Sequence, residues 1–175
     1  MSLSDIETKA DTTIDPASFR EALGHFASGI TIITTQVDDE PIGFTCQSFY
    51  SVSMSPPLVS FSVMANSFSY PKIRRAGRFA VNILADEQAA VSNTFARQGA
   101  DKWREVDWEQ LPLGSPIIKG SLHWLDCEIH AEHAAGDHLI VIGEVKGLSL
   151  QQAPASEPLL YFKGQYRSLA EHSAA

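Results

Sequence analysis

The pattern of apolar residues changes near residue 30, from a helical spacing to runs typical of strands. Asp15-Pro16 is typical of a helix start, because an N-cap residue precedes a proline at the first helical position, and apolar residues follow at helical spacing over 19–27 until Gly29. From Ile30 onward, β-branched and aromatic residues alternate with turn signals, which predicts short strands. The predicted strands cover 30–37, 42–50, 58–63, 79–84, 122–131, 139–148 and 160–162.

Few helices separate these strands. The pattern predicts short helices over 69–76 and 86–98, the second capped by an aspartate. Because alternating βαβ units would need a helix between most strands, we expect a mainly β protein, an antiparallel barrel with a few short flanking helices. Residues 1–14 are polar and are expected to form a flexible tail, which leaves 15–170 as a single domain. Residues 101–120 are expected to form an ordered loop that packs its tryptophans.

Charge and cysteine content narrow the classes of partner and compartment. The chain of 175 residues has a formal net charge of −8 and no cluster of Lys and Arg, so nucleic acid is not an expected partner. No apolar run is long enough to span a bilayer, and residues 1–15 lack the apolar core of a signal peptide. Cys46 and Cys127 lie far apart, which suits a reducing compartment. We therefore expect a cytoplasmic protein without a membrane partner.

Three polar clusters stand out against the apolar pattern. Residues 43–53 carry many small hydroxyl groups, which either face solvent from a strand or line a groove for a planar ligand. Residues 66–72 could bind a phosphate monoester, or Ser67 or Ser69 could simply cap the following helix. His138 follows a tight turn and either satisfies that turn or stands at the mouth of a pocket. The residue types alone leave all three pairs of alternatives open.

Several other chemistries are not indicated. The chain has no GxGxxG after a strand, no phosphate loop, no GxSxG and no HExxH motif. His130 and His133 are three positions apart, an odd spacing that points them to opposite faces of a strand, which argues against a shared metal ion. Cys46 and Cys127 have no basic neighbour in sequence and are interpreted as small buried hydrophobic residues. No metal site is predicted.

The clusters occur in a specific order. The series runs through 19–35, 43–49, 51–59, 79–84, 95–96, 136–138, 158–162 and 164–166. In this order they resemble the short-chain flavin reductases with the FMN-binding split-barrel fold, which are the reductase components of two-component flavin-dependent monooxygenases. The resemblance covers 19–169, and the ordered series is more specific than any single motif in it.

This resemblance implies a split barrel, a homodimer with shared flavin sites, and hydride transfer from NADH or NADPH to FMN or FAD. Residues 45–48 and 51–53 would line the isoalloxazine ring and ribityl chain, and His138 would act catalytically on the nicotinamide side. An oxygenase would be the partner. Gln47 stands where the family often has Asn, and Tyr70 where it often has His, so the flavin preference stays open. The implied cofactor-binding residues are Thr45, Cys46, Gln47, Ser48, Ser51, Val52, Ser53, Asn66, Ser67, Lys72, Asn82, Phe95, Ala96, His138 and Tyr166.

Two other functions on related barrels are weighed against a reductase. One is a flavin- or heme-binding protein without turnover, and the other is an enzyme like pyridoxamine-phosphate oxidase, in which a bound flavin oxidises an amine. The turn at 136–138 and the series over 51–57 favour the reductase. Consumption of NADH upon addition of free flavin, without an organic substrate, distinguishes the three.

Overall fold

A computed structural model describes residues 13–99, 101–112, 114–149 and 156–169. The predicted flexible tail 1–14 therefore lies almost wholly outside the described residues, as does the predicted domain end at residue 170. The helices are α1 Pro16–Leu23, α2 Tyr70–Ala76 and α3 Ala89–Ala96, and a 3₁₀ turn spans Asp86–Gln88. The strands are β1 Ser28–Gly29, β2 Thr31–Val37, β3 Glu40–Cys46, β4 Tyr50–Met54, β5 Pro57–Met64, β6 Arg78–Ile83, β7 Trp108–Gln110, β8 Pro116–Ile118, β9 His123–Ala135, β10 His138–Leu148, β11 Leu160–Phe162 and β12 Gln165–Arg167.

Seven strands form the main sheet. They are hydrogen-bonded in the order β3-β2-β6-β9-β10-β5-β4, and each neighbouring pair is antiparallel. The sheet curls strongly, because Phe44 near one edge packs against Phe61 near the other, with ring centroids 6.0 Å apart. The prediction of a mainly β, antiparallel protein with a few short helices is confirmed. Closure of the sheet into a split barrel stays a prediction.

The concave side of the curled sheet holds the core. Phe61 and Phe79 are fully buried and meet edge to face with ring centroids 5.1 Å apart. Gly143 on β10 makes room for this pair, since a Cβ there would lie 2.4 Å from Cζ of Phe79. Tyr70 and Ile73 of α2 are buried in the same cluster, so α2 covers one end of the core.

The predicted elements agree with the structure except at their ends. Asp15 caps α1 as expected, since its carboxylate accepts the backbone N–H of Ser18 at 2.9 Å, but the helix ends near Gly24 rather than Gly29. The predicted strand 42–50 is wrong as a single element, because the chain turns between β3 and β4. Ser48 marks that turn: its hydroxyl accepts from Ser62 N–H and donates to Ser62 O, each at 2.9 Å.

The remaining differences lie around two loops. The predicted helix 86–98 begins as the 3₁₀ turn, whose Gln88 side chain accepts the N–H of Ala85 at 3.0 Å, and continues as α3 only to Ala96. The predicted loop 101–120 contains the β7–β8 hairpin. It does pack its tryptophans, since Trp103 and Trp108 meet with ring centroids 5.5 Å apart. Among the helices within the described residues, none has the length and apolar character to cross a membrane.

Candidate functional site

Three cavities lie side by side where α3 packs against β3. The first, called here the Tyr166 pocket, holds about 280 Å³ and the second, the Ser67 pocket, about 240 Å³. Thr45 and Ala96 line both, so the two pockets adjoin, and together they are called here the channel. The third, the Trp103 groove, holds about 570 Å³ and shares Phe68 and Lys102 with the Ser67 pocket. The predicted residues that line the first two cavities are Thr45, Gln47, Asn66, Ser67, Phe95, Ala96 and Tyr166.

Hydroxyl groups fix the walls of the Tyr166 pocket. Thr45 donates from Oγ1 to the carbonyl of Ser92 on α3, at 2.6 Å. The hydroxyl of Tyr166 lies 2.9 Å from Ser92 Oγ and 3.0 Å from Oδ1 of Asn93. Because β12 carries Tyr166 beside α3, Tyr166 lines one side of the pocket, and its contact with a ligand stays a prediction. Gln47 is exposed, and its amide is free to reach a ligand.

The close approach of α3 to β3 depends on a glycine. A Cβ at Gly43 would lie 2.7 Å from Cε1 of Phe95, whose ring is fully buried. The Phe95 ring therefore belongs to the floor beneath the channel, and the following residue, Ala96, is exposed at its surface. The small side chain of Ala96 leaves space that a planar ligand needs.

Ser67 has a structural contact in addition to its place in the channel. Its Oγ accepts the backbone N–H of Tyr70 at 3.2 Å, which is the helix-capping alternative considered from sequence. Its own backbone N–H donates to Met64 O at 2.9 Å. The hydroxyl proton of Ser67 remains available to a ligand, and neighbouring Asn66 is exposed. Capping and ligand contact are therefore compatible in this residue.

Lys102 is a site residue that the sequence analysis did not identify. Its Nζ donates to Gly43 O at 3.1 Å and to Phe95 O at 2.9 Å, and it lines both the Ser67 pocket and the Trp103 groove. Desolvation by burial lowers the pKa of its ammonium group. It lies in the stretch 101–120, which the sequence predicts to be a loop. The feature of the sequence that could have indicated it is a lysine directly before a packed tryptophan.

His138 lies next to the channel, outside its lining. It begins β10 and pairs with Met64, which lines the Ser67 pocket. Its Nδ1 is 2.7 Å from a carboxylate oxygen of Asp137, and this contact lowers the pKa of the Asp137 carboxyl. The backbone of Asp137 accepts the N–H of Ala65 at 2.9 Å, which ties the turn to the segment that carries Asn66.

Two predicted site residues belong to the protein interior instead. Asn82 is fully buried and uses its whole amide within the protein: Nδ2 donates to Ile32 O at 3.0 Å and Thr34 Oγ1 at 3.1 Å, and Oδ1 accepts the N–H of Ile118 at 2.8 Å. Its position gives no support to the expected contact with flavin. Cys46 is buried, which raises the pKa of its thiol, and it lies 3.3 Å from Ser48 Oγ. Such a thiol is unreactive.

The other predicted residues lie outside the Tyr166 and Ser67 pockets. Ser51, Val52 and Ser53 are on β4, an edge strand of the sheet, and outside the three cavities of one chain. Ser53 Oγ accepts the N–H of Ser55 at 3.2 Å. Lys72 lines the Trp103 groove, with its Nζ 5.3 Å from the ring centroid of Phe68.

Comparison with known proteins identifies the class. The flavin reductase like domain model matches residues 23–170. The chain is 46% identical over 156 residues to the reductase subunit HsaB of a flavin-dependent monooxygenase from Mycobacterium tuberculosis, covering 89% of this chain and 83% of that protein. It is 41% identical over 160 residues to a flavin reductase from Pseudomonas putida, covering 91% of this chain and 93% of that protein.

Solved structures agree with these relatives. Nitrilotriacetate monooxygenase component B from Mycobacterium thermoresistibile superposes with a TM-score of 0.88 at 44% identity, covering 93% of this chain and 90% of that one. The NADH:FAD oxidoreductase SgcE6 of Streptomyces globisporus, in complex with NAD and FAD fragments, gives 0.85 at 33% identity, covering 94% and 100%. The fold and the matches together define an oxidoreductase that handles flavin. Within that class, the chain belongs to the flavin reductase like domain family, which confirms the resemblance drawn from its sequence.

Proposed function

We propose that the chain is an NAD(P)H-dependent flavin reductase that passes hydride to FMN or FAD and supplies the reduced flavin to a partner monooxygenase. The observation that carries this proposal is the pair of adjoining polar cavities, the Tyr166 and Ser67 pockets, in a chain of the flavin reductase family. Relatives support the partner, since HsaB is named a reductase subunit of a flavin-dependent monooxygenase. Free buried cysteines suit work in a reducing cytoplasm.

The channel suits a flavin in its chemistry. The Tyr166 pocket offers hydroxyls and the Gln47 amide to the polar edge of an isoalloxazine, beside the small side chain of Ala96. The Ser67 pocket offers the Ser67 hydroxyl, Asn66 and the ammonium of Lys102 to the phosphate end. When bound, the flavin supplies the hydride acceptor, and the protein's part is to orient it and exclude water.

One subunit leaves the flavin site open. Taken singly, its pockets of about 280 and 240 Å³ are smaller than the roughly 300–1,000 Å³ that cofactor sites commonly hold, so neither pocket encloses a whole flavin. The edge strand β4 meanwhile exposes large apolar side chains, including Val52 and Met54, the latter 89% exposed. We therefore propose a homodimer in which β4 residues 51–53 of one subunit cover the channel of the other. This arrangement gives the predicted 51–53 contacts a role that one chain does not provide.

His138 is proposed to contact the nicotinamide. The Asp137 carboxylate next to Nδ1 favours the tautomer with a proton on that nitrogen, which leaves Nε2 for a ligand. Because His138 pairs with Met64 beside the Ser67 pocket, a nicotinamide that stacks on a flavin from this side would meet the ring. His138 would then orient the hydride donor.

A steady-state assay tests the proposal. The protein is mixed with NADH or NADPH and with FMN, FAD or riboflavin, and absorbance at the nicotinamide band is followed without an organic substrate. Turnover that scales with free flavin supports a reductase. Flavin binding with no oxidation of either nicotinamide would instead indicate a binding protein, and turnover that requires an added amine would indicate an oxidase. Light scattering on the same sample measures the dimer.

A further inference from the structure

The Trp103 groove adjoins the Ser67 pocket and shares no lining residue with the Tyr166 pocket. It is the largest of the three cavities, at about 570 Å³, and it opens from the Ser67 pocket past the shared residues Phe68 and Lys102. Pro41, Ile42 and Trp103 give it apolar walls. If the Ser67 pocket holds the phosphate end of a flavin, a flavin that terminates there leaves this groove unused.

Positive charge lies at the junction of the pocket and the groove. The half-buried ammonium of Lys102 donates hydrogen bonds to two backbone carbonyls. It takes part in none of the ion pairs found between described residues. Burial removes water from the Lys102 ammonium and so lowers its pKa. An anion at this junction would compensate for that lost hydration. Lys72 lines the same groove and adds a second cation, whereas Asp101 is the one carboxylate among the lining residues.

An aromatic ring stands open beside these cations. Phe68 is 77% exposed, and it lines both cavities. Lys72 Nζ lies 5.3 Å from the centroid of its ring. A flat purine could stack on the open face, as bases do on aromatic side chains in many nucleotide sites.

We propose that the Trp103 groove binds the adenosine diphosphate half of a dinucleotide, with the diphosphate beside Lys102 and the adenine on Phe68. The inference rests on the proposed flavin reductase function and refines it. FAD and NADH both contain an adenosine diphosphate group. We favour FAD as the ligand, because the groove adjoins the Ser67 pocket. If FAD is the source, the protein binds FAD more tightly than FMN.

Two exposed residues allow a test that does not disturb the fold. Lys102 itself is unsuitable alone, because it also holds two backbone carbonyls. Phe68→Ala removes the stacking surface and should lower the affinity for FAD roughly tenfold more than the affinity for FMN, which meets Phe68 only where it lines the Ser67 pocket. Asp101→Lys exchanges the carboxylate for a cation and should tighten FAD about threefold. Phe26→Ala, at a ring that is 80% exposed elsewhere, and Glu109→Lys are the matched controls.

The readout is the ratio of the dissociation constants for FAD and FMN, from equilibrium dialysis without nicotinamide, together with KM for NADH with FMN as acceptor. A changed ratio in both variants identifies FAD as the ligand of the groove. An unchanged ratio with a raised KM in Phe68→Ala assigns the groove to NADH. If neither quantity moves while flavin reduction persists, the inference is overturned and the reductase function stands. A wild-type protein that neither binds flavin nor oxidises NADH would overturn both.

Discussion

Two polar side chains, the fully buried Asn82 in the sheet and the half-buried Lys102 beside the channel, show how the interior of this fold differs from its candidate site. The amide of Asn82 has three partners, all within the protein, and joins β2, β6 and β8. Lys102 has two carbonyl acceptors and lies on the wall of two cavities. A polar group that is fully satisfied specifies structure, whereas a cation that is only partly satisfied next to open space is available to a ligand.

The same contrast holds for two glycines. Gly143 makes room for Phe79, a ring sealed in the core, and Gly43 makes room for Phe95, whose ring forms the floor of the channel. Both let a ring approach the backbone closely, but only the second approach brings a helix over the edge strand β3 and so creates a cavity at the surface. Close packing therefore builds the site as well as the core.

The largest effect is expected from the interior. Asn82→Ala would leave the carbonyl of Ile32 and the N–H of Ile118 without their partner in a fully buried place, at a cost of about 1–3 kcal/mol for each group. We expect the free energy of unfolding to fall by roughly 3 kcal/mol or more in urea titrations. Flavin affinity of the folded fraction should be unchanged. Normal stability with loss of flavin binding would show that Asn82 contacts the ligand after all.

A smaller effect, confined to the ligand, is expected at Ser67. Ser67→Asp keeps an oxygen that can accept the N–H of Tyr70, so the start of α2 should stay capped. The new carboxylate would repel a flavin phosphate by about 1–3 kcal/mol, and FMN affinity should fall while thermal stability does not. Riboflavin, which lacks the phosphate, is the control ligand. An equal loss of riboflavin affinity would remove Ser67 from the phosphate site.

Sequence patterns predicted the interior better than the site. Runs of β-branched and aromatic residues bounded by turn signals located the central strands, of which β2 and β6 are buried over most of their length, and the Asp15-Pro16 signal fixed the start of α1. The break between β3 and β4 was missed because it depends on hydrogen bonds from Ser48 to Ser62, fourteen residues away. The residues next to Ser48 in the sequence do not indicate such a contact.

The site was predicted through family resemblance, and it was incomplete for the same physical reason. Thr45, Ser67 and Tyr166 do line one channel. Resemblance also included Asn82, which the structure places in the interior, and composition gave no reason to select Lys102 from an irregular stretch. Both differences arise because a side chain's partners across the fold, not its position in a motif, decide whether it is available to a ligand.

The third prediction concerns turnover without a change in stability. His138→Ala should raise KM for NADH or lower the rate of hydride transfer by roughly tenfold, because the ring lies beside the Ser67 pocket and outside the core. Rapid mixing of flavin-loaded protein with NADH separates the two effects. Flavin affinity and melting temperature should stay nearly constant. Earlier melting with normal reduction by the surviving fraction would make His138 a residue of the turn only.

The smallest effect is expected where the interior and the site meet, at Tyr70 and Glu132. Tyr70 is buried in the core, its hydroxyl donates to the Glu132 carboxylate, and its N–H is bonded to Ser67. Arg74 also bonds that carboxylate, at 2.9 Å, and its guanidinium is the main cause of the lowered pKa of Glu132. Because a lowered pKa means that the folded state prefers the ionised group, this stabilisation is present above the ordinary pKa of glutamate and is lost as pH falls through the lowered value.

Glu132→Gln keeps the shape and an acceptor for Tyr70 but removes the charge. We expect the melting temperature at pH 7 to fall by roughly 2 °C, since partly exposed ion pairs contribute little, and the difference from wild type to shrink toward zero as the pH falls through the lowered pKa of Glu132. Scanning calorimetry across that range measures it. FMN affinity measured at pH 7 should fall only slightly, because α2 keeps its core contacts through Ile73. A difference in melting temperature that persists unchanged at low pH would show that Glu132 acts through packing. A large loss of FMN affinity would show that its contact with Tyr70 positions Ser67, so that the boundary between interior and site runs through this pair.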